Sequence, residues 1–438
     1  MTARQIRVAT LAAVLFALIG LTSFAAWKLS SAPSAPTASE NVGLPFPKQP
    51  SIAVMPFMNI SGDPEQEYFA DGMTETIITD LAQLSDLLVI ASNSVFSYKG
   101  KPVDVRRVSR ELGVRHVLEG SVQKTGDRVR ITAQLIEAAS GNHVWAGRWD
   151  RPMQDLFAVQ NEITRNIVDE LNVKLVMGEQ LRVWRRTAHN PEAYDYVLRC
   201  IEAFLKYTQA DNTRSRELCS KALELDPEYA MAMVWIGWSH SMEGDFGWSK
   251  SQSESYEQAI AWARRAIAQD PSLGDAYTLL GDNLKDSGKD IDGGMAEMEK
   301  AVTLNPNSAA SLLTLGWHET FVGRAKEGLE NIKKAIRLNP FPPAWYSAAL
   351  GDGYAWTGRY EEAIPVYKEA LRRVPYMIWS EIGLTIALSQ LGRLDEARAQ
   401  AEELRRAYPN FSLDRLPYTM KPEPLEVLKT HLRRAGLN

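Results

Sequence analysis

This 438-residue chain is poor in the residues that usually carry chemistry. It has only two cysteines and six histidines. The histidines, His116, His143, His189, His240, His318 and His431, fall in separate segments without metal-ligand spacing, so no metal site is expected. No glycine-rich phosphate loop of the Walker type is present, and no Cys/His or Ser/His pair shares a local motif. The 49 Lys and Arg against 54 Asp and Glu leave a net charge of −5, without the basic stripe that nucleic acid requires. Cofactor, metal, nucleic-acid and catalytic readings therefore start without support. The 45% apolar and 24% charged residues are ordinary for a folded body, and the length allows two or three domains.

What the chain does have is a period. Pro227, Pro271, Pro306, Pro340, Pro375 and Pro409 are separated by 44, 35, 34, 35 and 34 residues. Most of these prolines close related runs, KALELDP, RAIAQDP, KAVTLNP and KAIRLNP, and the last two close EALRRVP and EELRRAYP. Proline ends a helix because it disfavours the helical conformation in the residue before it. Glycine recurs about ten residues later, at Gly237, Gly281, Gly316 and Gly351, where one helix is expected to lie close against its partner. A second set, Gly244, Gly288, Gly323, Gly358 and Gly392, suits the turn between two helices. Small residues at Ala222, Ala266, Ala301, Ala335 and Ala370 thin the second helix for nesting. A repeat near 34 residues with these offsets predicts stacked helical hairpins.

These residues resemble the tetratricopeptide repeat (TPR) family over 191–409. Six units are expected, 192–227, 228–271, 272–306, 307–340, 341–375 and 376–409. The second carries an insertion near GDFGWSKSQS, and 410–438 reads as a capping helix. Such arrays bind partners along a concave surface and rarely do chemistry.

The N-terminus belongs to no such body. Val8 to Trp27 is a run of 20 uncharged residues, long enough to cross a bilayer core, with Arg4 and Arg7 before it. The charge asymmetry puts a cytoplasmic tail at 1–7 and the rest of the chain outside. A cleaved signal peptide is the alternative, with Ser23 and Ala25 at the cleavage site. Residues 28–50 are a Pro/Ala/Ser linker of tether-like composition.

Between tether and repeats, 51–175 reads βαβαβββα. SIAVMPF and LLVIA are buried strands, and Asp71 precedes a helix with Met73, Ile77, Ile78, Leu81 and Leu84 at helical spacing. DVRRVSREL is a short helix. Val129, Ile131, Ala133 and Leu135 alternate in a hairpin strand, and a helix from about Leu156 closes the unit. The motifs IAVMPF, YFADGMTE, LGVRHVLEGSVQ, RVRITAQLIEAASGNHVWAGRWDR and LFAVQNEITR resemble the FlgO-like, TolB-N-terminal-like domain of bacterial envelope proteins. The resemblance implies a domain set ahead of TPR repeats and often attached, through a membrane span, to a cytoplasmic cyclase or winged-helix output domain. Seven residues ahead of the span leave no room for either. The expected architecture is thus an α+β domain followed by an all-α TPR solenoid, with a connector at 176–190 and one N-terminal transmembrane helix.

Individual residues add little chemistry. Asp71 reads as a helix N-cap, and Gly351-Asp352-Gly353 as a repeat element. Cys200 and Cys219 lie either side of the first repeat's turn, a candidate disulfide in an oxidising compartment or else two buried thiols. One residue past the recurrent glycine stand Trp238, Asp282, Trp317 and Asp352, a candidate partner-binding groove of alternating aromatic and acidic character. The Lys and Asn that clamp a partner's C-terminal carboxylate in some TPR proteins are missing. The expectation is a non-catalytic, cofactor-free scaffold of the bacterial inner membrane, with its bulk in the periplasm, binding other proteins or peptide segments. The alternative is a sensory or regulatory subunit related to cyclase-linked or winged-helix-linked receptors, acting through a separate cytoplasmic partner.

Overall fold

A mixed sheet forms first along the chain. β1 (Ser51–Val54) is fully buried and lies between two parallel neighbours, β3 (Leu88–Val89) and β4 (His116–Thr125). A short β2 (Met58–Asn59) also pairs with β4. β4 then turns at Gly126 into β5 (Arg128–Glu137), antiparallel in a continuous register from His116↔Glu137 to Thr125↔Arg128. β6 (Asn142–Pro152) completes the order β3-β1-β4-β5-β6. Val129, Ile131, Ala133 and Leu135 on β5 are buried, as a half-buried strand of period two requires. The computed structural model describes residues 44–102, 104–175, 190–375, 377–409, 411–413 and 422–437.

Helices α1 (Glu67–Ala82), α2 (Ser92–Phe96), α3 (Val105–Leu112) and α4 (Leu156–Glu170) accompany the sheet. The start of α1 corrects the sequence reading. Asp63 caps a short 3-10 turn that runs directly into α1, so Asp71 lies one turn inside the helix and caps nothing. Its carboxylate meets Lys99 Nζ at 2.5 and 2.6 Å instead.

Twelve further helices form six hairpins: α5 (Pro191–Phe204) with α6 (Gln209–Leu225), α7 (Ala230–Asp245) with α8 (Gln252–Gln269), and α9 (Gly274–Asp286) with α10 (Ile291–Leu304). They continue with α11 (Ala309–Phe321) and α12 (Ala325–Leu338), α13 (Ala344–Trp356) and α14 (Tyr360–Arg373), then α15 (Ile378–Gln390) and α16 (Leu394–Ala407). Each second helix ends two residues before its repeat proline. A final helix, α17 (Pro422–Arg434), packs on α15 and buries Leu428 and Leu432.

At Gly281 and Gly316 the recurrent glycine lets the paired backbones touch. A Cβ on Gly316 would sit 2.7 Å from the Gly328 carbonyl oxygen, and one on Gly328 would sit 2.4 Å from that of Gly316. The turn glycines Gly288, Gly323, Gly358 and Gly392 all have φ between +68 and +90°. Gly244 departs from this set. The insertion lengthens the turn, so Gly244 stays inside α7, packed on Tyr256, and Gly247 takes the left-handed position at +66°.

The sheet region and the array share one apolar core, running from Ile52 through Tyr194 and Leu313 to Ala349. Polar links sit at the turns between repeats. Asn307 donates from its backbone to Ala82 O and from its side chain to Leu84 O. Ala91 N donates to Leu338 O, Ser94 Oγ to Asn339 Oδ1 at 2.6 Å, and Arg337 to the carbonyls of Leu112 and Gly113. At the other end α1 packs on α5, where a Cβ on Gly72 would lie 2.3 Å from Leu198 Cδ2. Among the described residues no helix is long and apolar enough to cross a membrane. The tail 1–7, the run 8–27, most of the linker 28–50 and nearly all of the connector 176–190 lie outside them.

Cys200 on α5 and Cys219 on α6 are joined in a buried disulfide across the first hairpin, with Cα atoms 5.6 Å apart. Purified, unreduced, denatured protein should therefore show no reactive thiol. Closing a loop of 19 residues stabilises by about 3 kcal/mol in the chain-entropy picture, so reduction should lower the melting temperature of the array. Labelling of both cysteines without reductant would remove the bridge from the account.

Candidate functional site

The first helix of each hairpin presents one face to its counterparts in neighbouring repeats, so residues at equal offsets meet across repeats. Trp317 Nε1 donates to Asp352 Oδ2 at 2.8 Å, linking α11 to α13. The Tyr367 hydroxyl, from α14, donates to the other oxygen at 2.5 Å. His318 Nε2 donates to Asp282 Oδ1 at 2.7 Å, linking α11 to α9. Trp238 is half-buried and packs on the apolar cluster around Met233 and Ile260.

The four sequence-selected residues therefore do not form one exposed track. Trp317 and Asp352 are brought together, Asp282 pairs with a histidine, and Trp238 stands apart. The alternation of ring and acid serves largely as a set of cross-repeat hydrogen bonds. The spacing could not reveal this, because it fixes which face a residue occupies and not how deep that face lies.

Asp352 is only 5% exposed. Burial pushes its pKa from 3.8 up to about 7, opposed by the hydrogen bonds from Tyr367 and Trp317. Tyr367 reaches it through a slot between two glycines. A Cβ on Gly351 would lie 2.6 Å from the ring, and one on Gly383 would lie 2.3 Å from it. Gly383, with no counterpart among the positions singled out from the sequence, is thus part of the site.

Beside Asp352 lies a cleft, open to solvent, with a cavity volume of about 70 Å³. Its walls are Phe321 of α11, Trp356 of α13, Tyr360 and Tyr367 of α14, Trp379, Ile382, Ile386 and Gln390 of α15, and Val427 and Leu428 of α17. Among the described residues Asp352 is the one carboxylate in this lining, and no Lys, Arg or His contributes to it. Sequence reasoning missed the pocket because its rings come from three repeats and one wall comes from the C-terminal helix.

One cluster has metal-ligand donors. Asp282, Asp286 and His318 place ligand atoms within 4.8 Å of one another, although His318 comes from another repeat. Lys285 Nζ stands 3.1 Å from Asp286, and His318 already donates to Asp282, so these charges have protein partners. Among the described residues no constellation of nucleophile, base and oxyanion donors lines the pocket.

Comparison with known proteins agrees with the repeat geometry. Tetratricopeptide repeat profiles match residues 313–378 and 357–415. The sheet region, residues 48–166, matches the family described as HilA/YgeH-like transcriptional regulator, second domain. A protein of Rhizobium meliloti (strain 1021) named "Putative adenylate cyclase 3" is 48% identical over 227 residues, 52% of this chain and 39% of that protein. The chain thus spans about two fifths of that relative's length. Solved structures that match in part include Pseudomonas aeruginosa PilF, at 18% identity and TM-score 0.39, covering 50% of this chain and 93% of that one. YrrB, titled a TPR protein with an unusual peptide-binding site, has 17% identity and TM-score 0.32, over 44% and 93% of the two chains. The C-terminal part of the chain is a TPR array, and an array of this kind points to a non-catalytic interaction scaffold.

Two substitutions test the Asp352 network. Trp317→Phe removes a hydrogen bond to a buried carboxyl and should cost about 1.5–3 kcal/mol in chemical denaturation. Asp352 binds a proton more tightly folded than unfolded, so its contribution to stability is full below about pH 4 and falls as pH rises towards 7. Asp352→Asn should flatten the stability profile in that window. Burial raises Glu75 to about 7 and Asp80 to about 8, and both should leave a residual slope of the same sign. An unchanged slope in the variant would place the titration elsewhere.

Proposed function

We propose that this protein is a membrane-anchored, non-catalytic scaffold of the bacterial envelope, which binds protein partners through the first-helix face of its TPR array. The observation that carries the reading is the aromatic pocket formed jointly by the last three repeats and α17. An array of structural hairpins alone would not need such an opening. The anchor is the apolar run at 8–27, and the Pro-rich 28–50 holds the folded body away from the bilayer. The charge asymmetry favours an inner-membrane, single-pass arrangement with the bulk in the periplasm. The buried Cys200–Cys219 bridge suits that oxidising compartment. On this reading the sheet region is the FlgO-like domain, and its role is to brace the array.

A second reading has its own support. Similarity to a protein named as a cyclase, and to a transcriptional regulator's second domain, favours a sensory or regulatory subunit. That subunit would act through a separate cytoplasmic partner.

Crosslinking in intact membranes followed by affinity capture separates the two. Envelope assembly proteins among the captured partners support the scaffold, and a cyclase or regulator supports the receptor. A periplasm-dependent reporter fused after Asn438 should be active, with the protein retained in membranes after a high-salt wash. Activity of a cytoplasm-dependent reporter at that position would reverse the topology. A soluble product beginning near Ala26 would show cleavage in place of anchoring.

A further inference from the structure

Tyrosine–carboxylate pairs recur in this fold, and two of them are completed by a cation. Tyr68 donates to Asp195 at 2.5 Å, and the same carboxylate receives Lys124 at 2.8 Å and Arg199 at 2.9 Å. The Arg199 guanidinium also lies 4.7 Å over the Tyr68 ring. Tyr98 donates to Glu111 at 2.5 Å, and Arg107 closes that pair at 2.7 Å. Two others have no cation among the described residues: Tyr256 donates to Asp245 at 2.7 Å, and Tyr367 donates to Asp352 at 2.5 Å. The other partner of Asp352 is the neutral Trp317 indole. Asp352 and Tyr367 line the aromatic pocket, and the rings of Trp356, Tyr360 and Trp379 stand beside them.

Resting on the scaffold reading, we infer that this pocket receives an arginine side chain from an extended segment of a partner protein. The guanidinium enters among the aromatic rings and faces Asp352. The chemistry selects this occupant in three ways. An aliphatic side chain would bury a carboxyl further without supplying a charge partner. An acidic one would set like charges together. Between the two basic residues, the guanidinium is planar, weakly hydrated and stacks on aromatic faces, whereas an ammonium keeps its water. The chain already uses this stacking internally, with Arg265 lying 4.1 Å over Trp262 and Arg359 lying 4.6 Å over Tyr354.

The test uses the full chain and a capped Ala-Ala-Arg-Ala-Ala peptide, followed by calorimetry and tryptophan fluorescence. Its control replaces arginine by citrulline, which keeps the shape and removes the charge. The arginine peptide should bind at least about tenfold more tightly than the citrulline peptide. Trp379→Ala and Asp352→Asn should each weaken it by about fivefold or more, and Asp282→Asn, outside the pocket, should not. Circular dichroism establishes that the variants are folded. If Asp352→Asn does not fold, Trp379→Ala and Trp356→Leu carry the comparison. Equal affinity for the two peptides, or no saturable binding of the arginine peptide, overturns the assignment. If Trp379→Ala loses the peptide but keeps its crosslinked partners, the pocket binds arginine and the scaffold works through another surface. If peptide discrimination fails while membrane partners are still captured, the scaffold stands and the arginine receptor falls.

Discussion

The close approach of two helix backbones within the third and fourth hairpins governs what is built on top of them. At Gly281–Gly294 and Gly316–Gly328 the carbonyl of one helix occupies the space that a side chain on the other would need. That contact sets how tightly a hairpin closes, and therefore how each repeat is rotated onto the next. The fifth repeat solves the same problem differently. Its Gly351 and the sixth repeat's Gly383 clear space for the Tyr367 ring, so a tyrosine stands where smaller packing would otherwise suffice. That exchange of backbone contact for a phenol brings a polar group to Asp352 and opens the array beside it.

Much of the architecture was legible because it rests on periodicities that survive in a single sequence. The proline interval located every hairpin, and the alternation of Val129, Ile131, Ala133 and Leu135 located a half-buried strand. Local chemistry was less legible. Asp71 resembles a cap by residue type, yet Asp63 starts the helical segment and leaves Asp71 free to bind Lys99. Gly244 has the spacing of a turn glycine, but the insertion after it moved the turn by three residues to Gly247.

The candidate site was legible only in part. Asp352 and Trp317 were picked out by their offset from the repeat glycine, and they do meet. Their depth depends on neighbours that the offset does not encode: Tyr367 from the second helix, Gly383 from the next repeat, and α17 closing the side. The union of sheet region and array was illegible for a related reason. It is made by turn residues such as Asn307 and Asn339, whose side chains look like ordinary caps and breakers until Leu84 and Ser94 arrive from more than two hundred residues away.

That union has a mechanical consequence. A solenoid whose units touch only their neighbours behaves as a spring and distributes strain along its length. Here the coils of the first four repeats are clamped at both ends of the stretch, by α5 on α1 and by the turns at Asn307 and Asn339 on the sheet region. Among the described residues the hydrogen bonds of this clamp reach as far as Phe341, at the entry to the fifth repeat. Elastic compliance is thereby concentrated in the last coils, and the gap among α13, α15 and α17 becomes the dimension that widens or narrows under load. A pull on the far end of the array is then felt first as a change of aperture, while the braced coils transmit it as a rigid lever to the sheet.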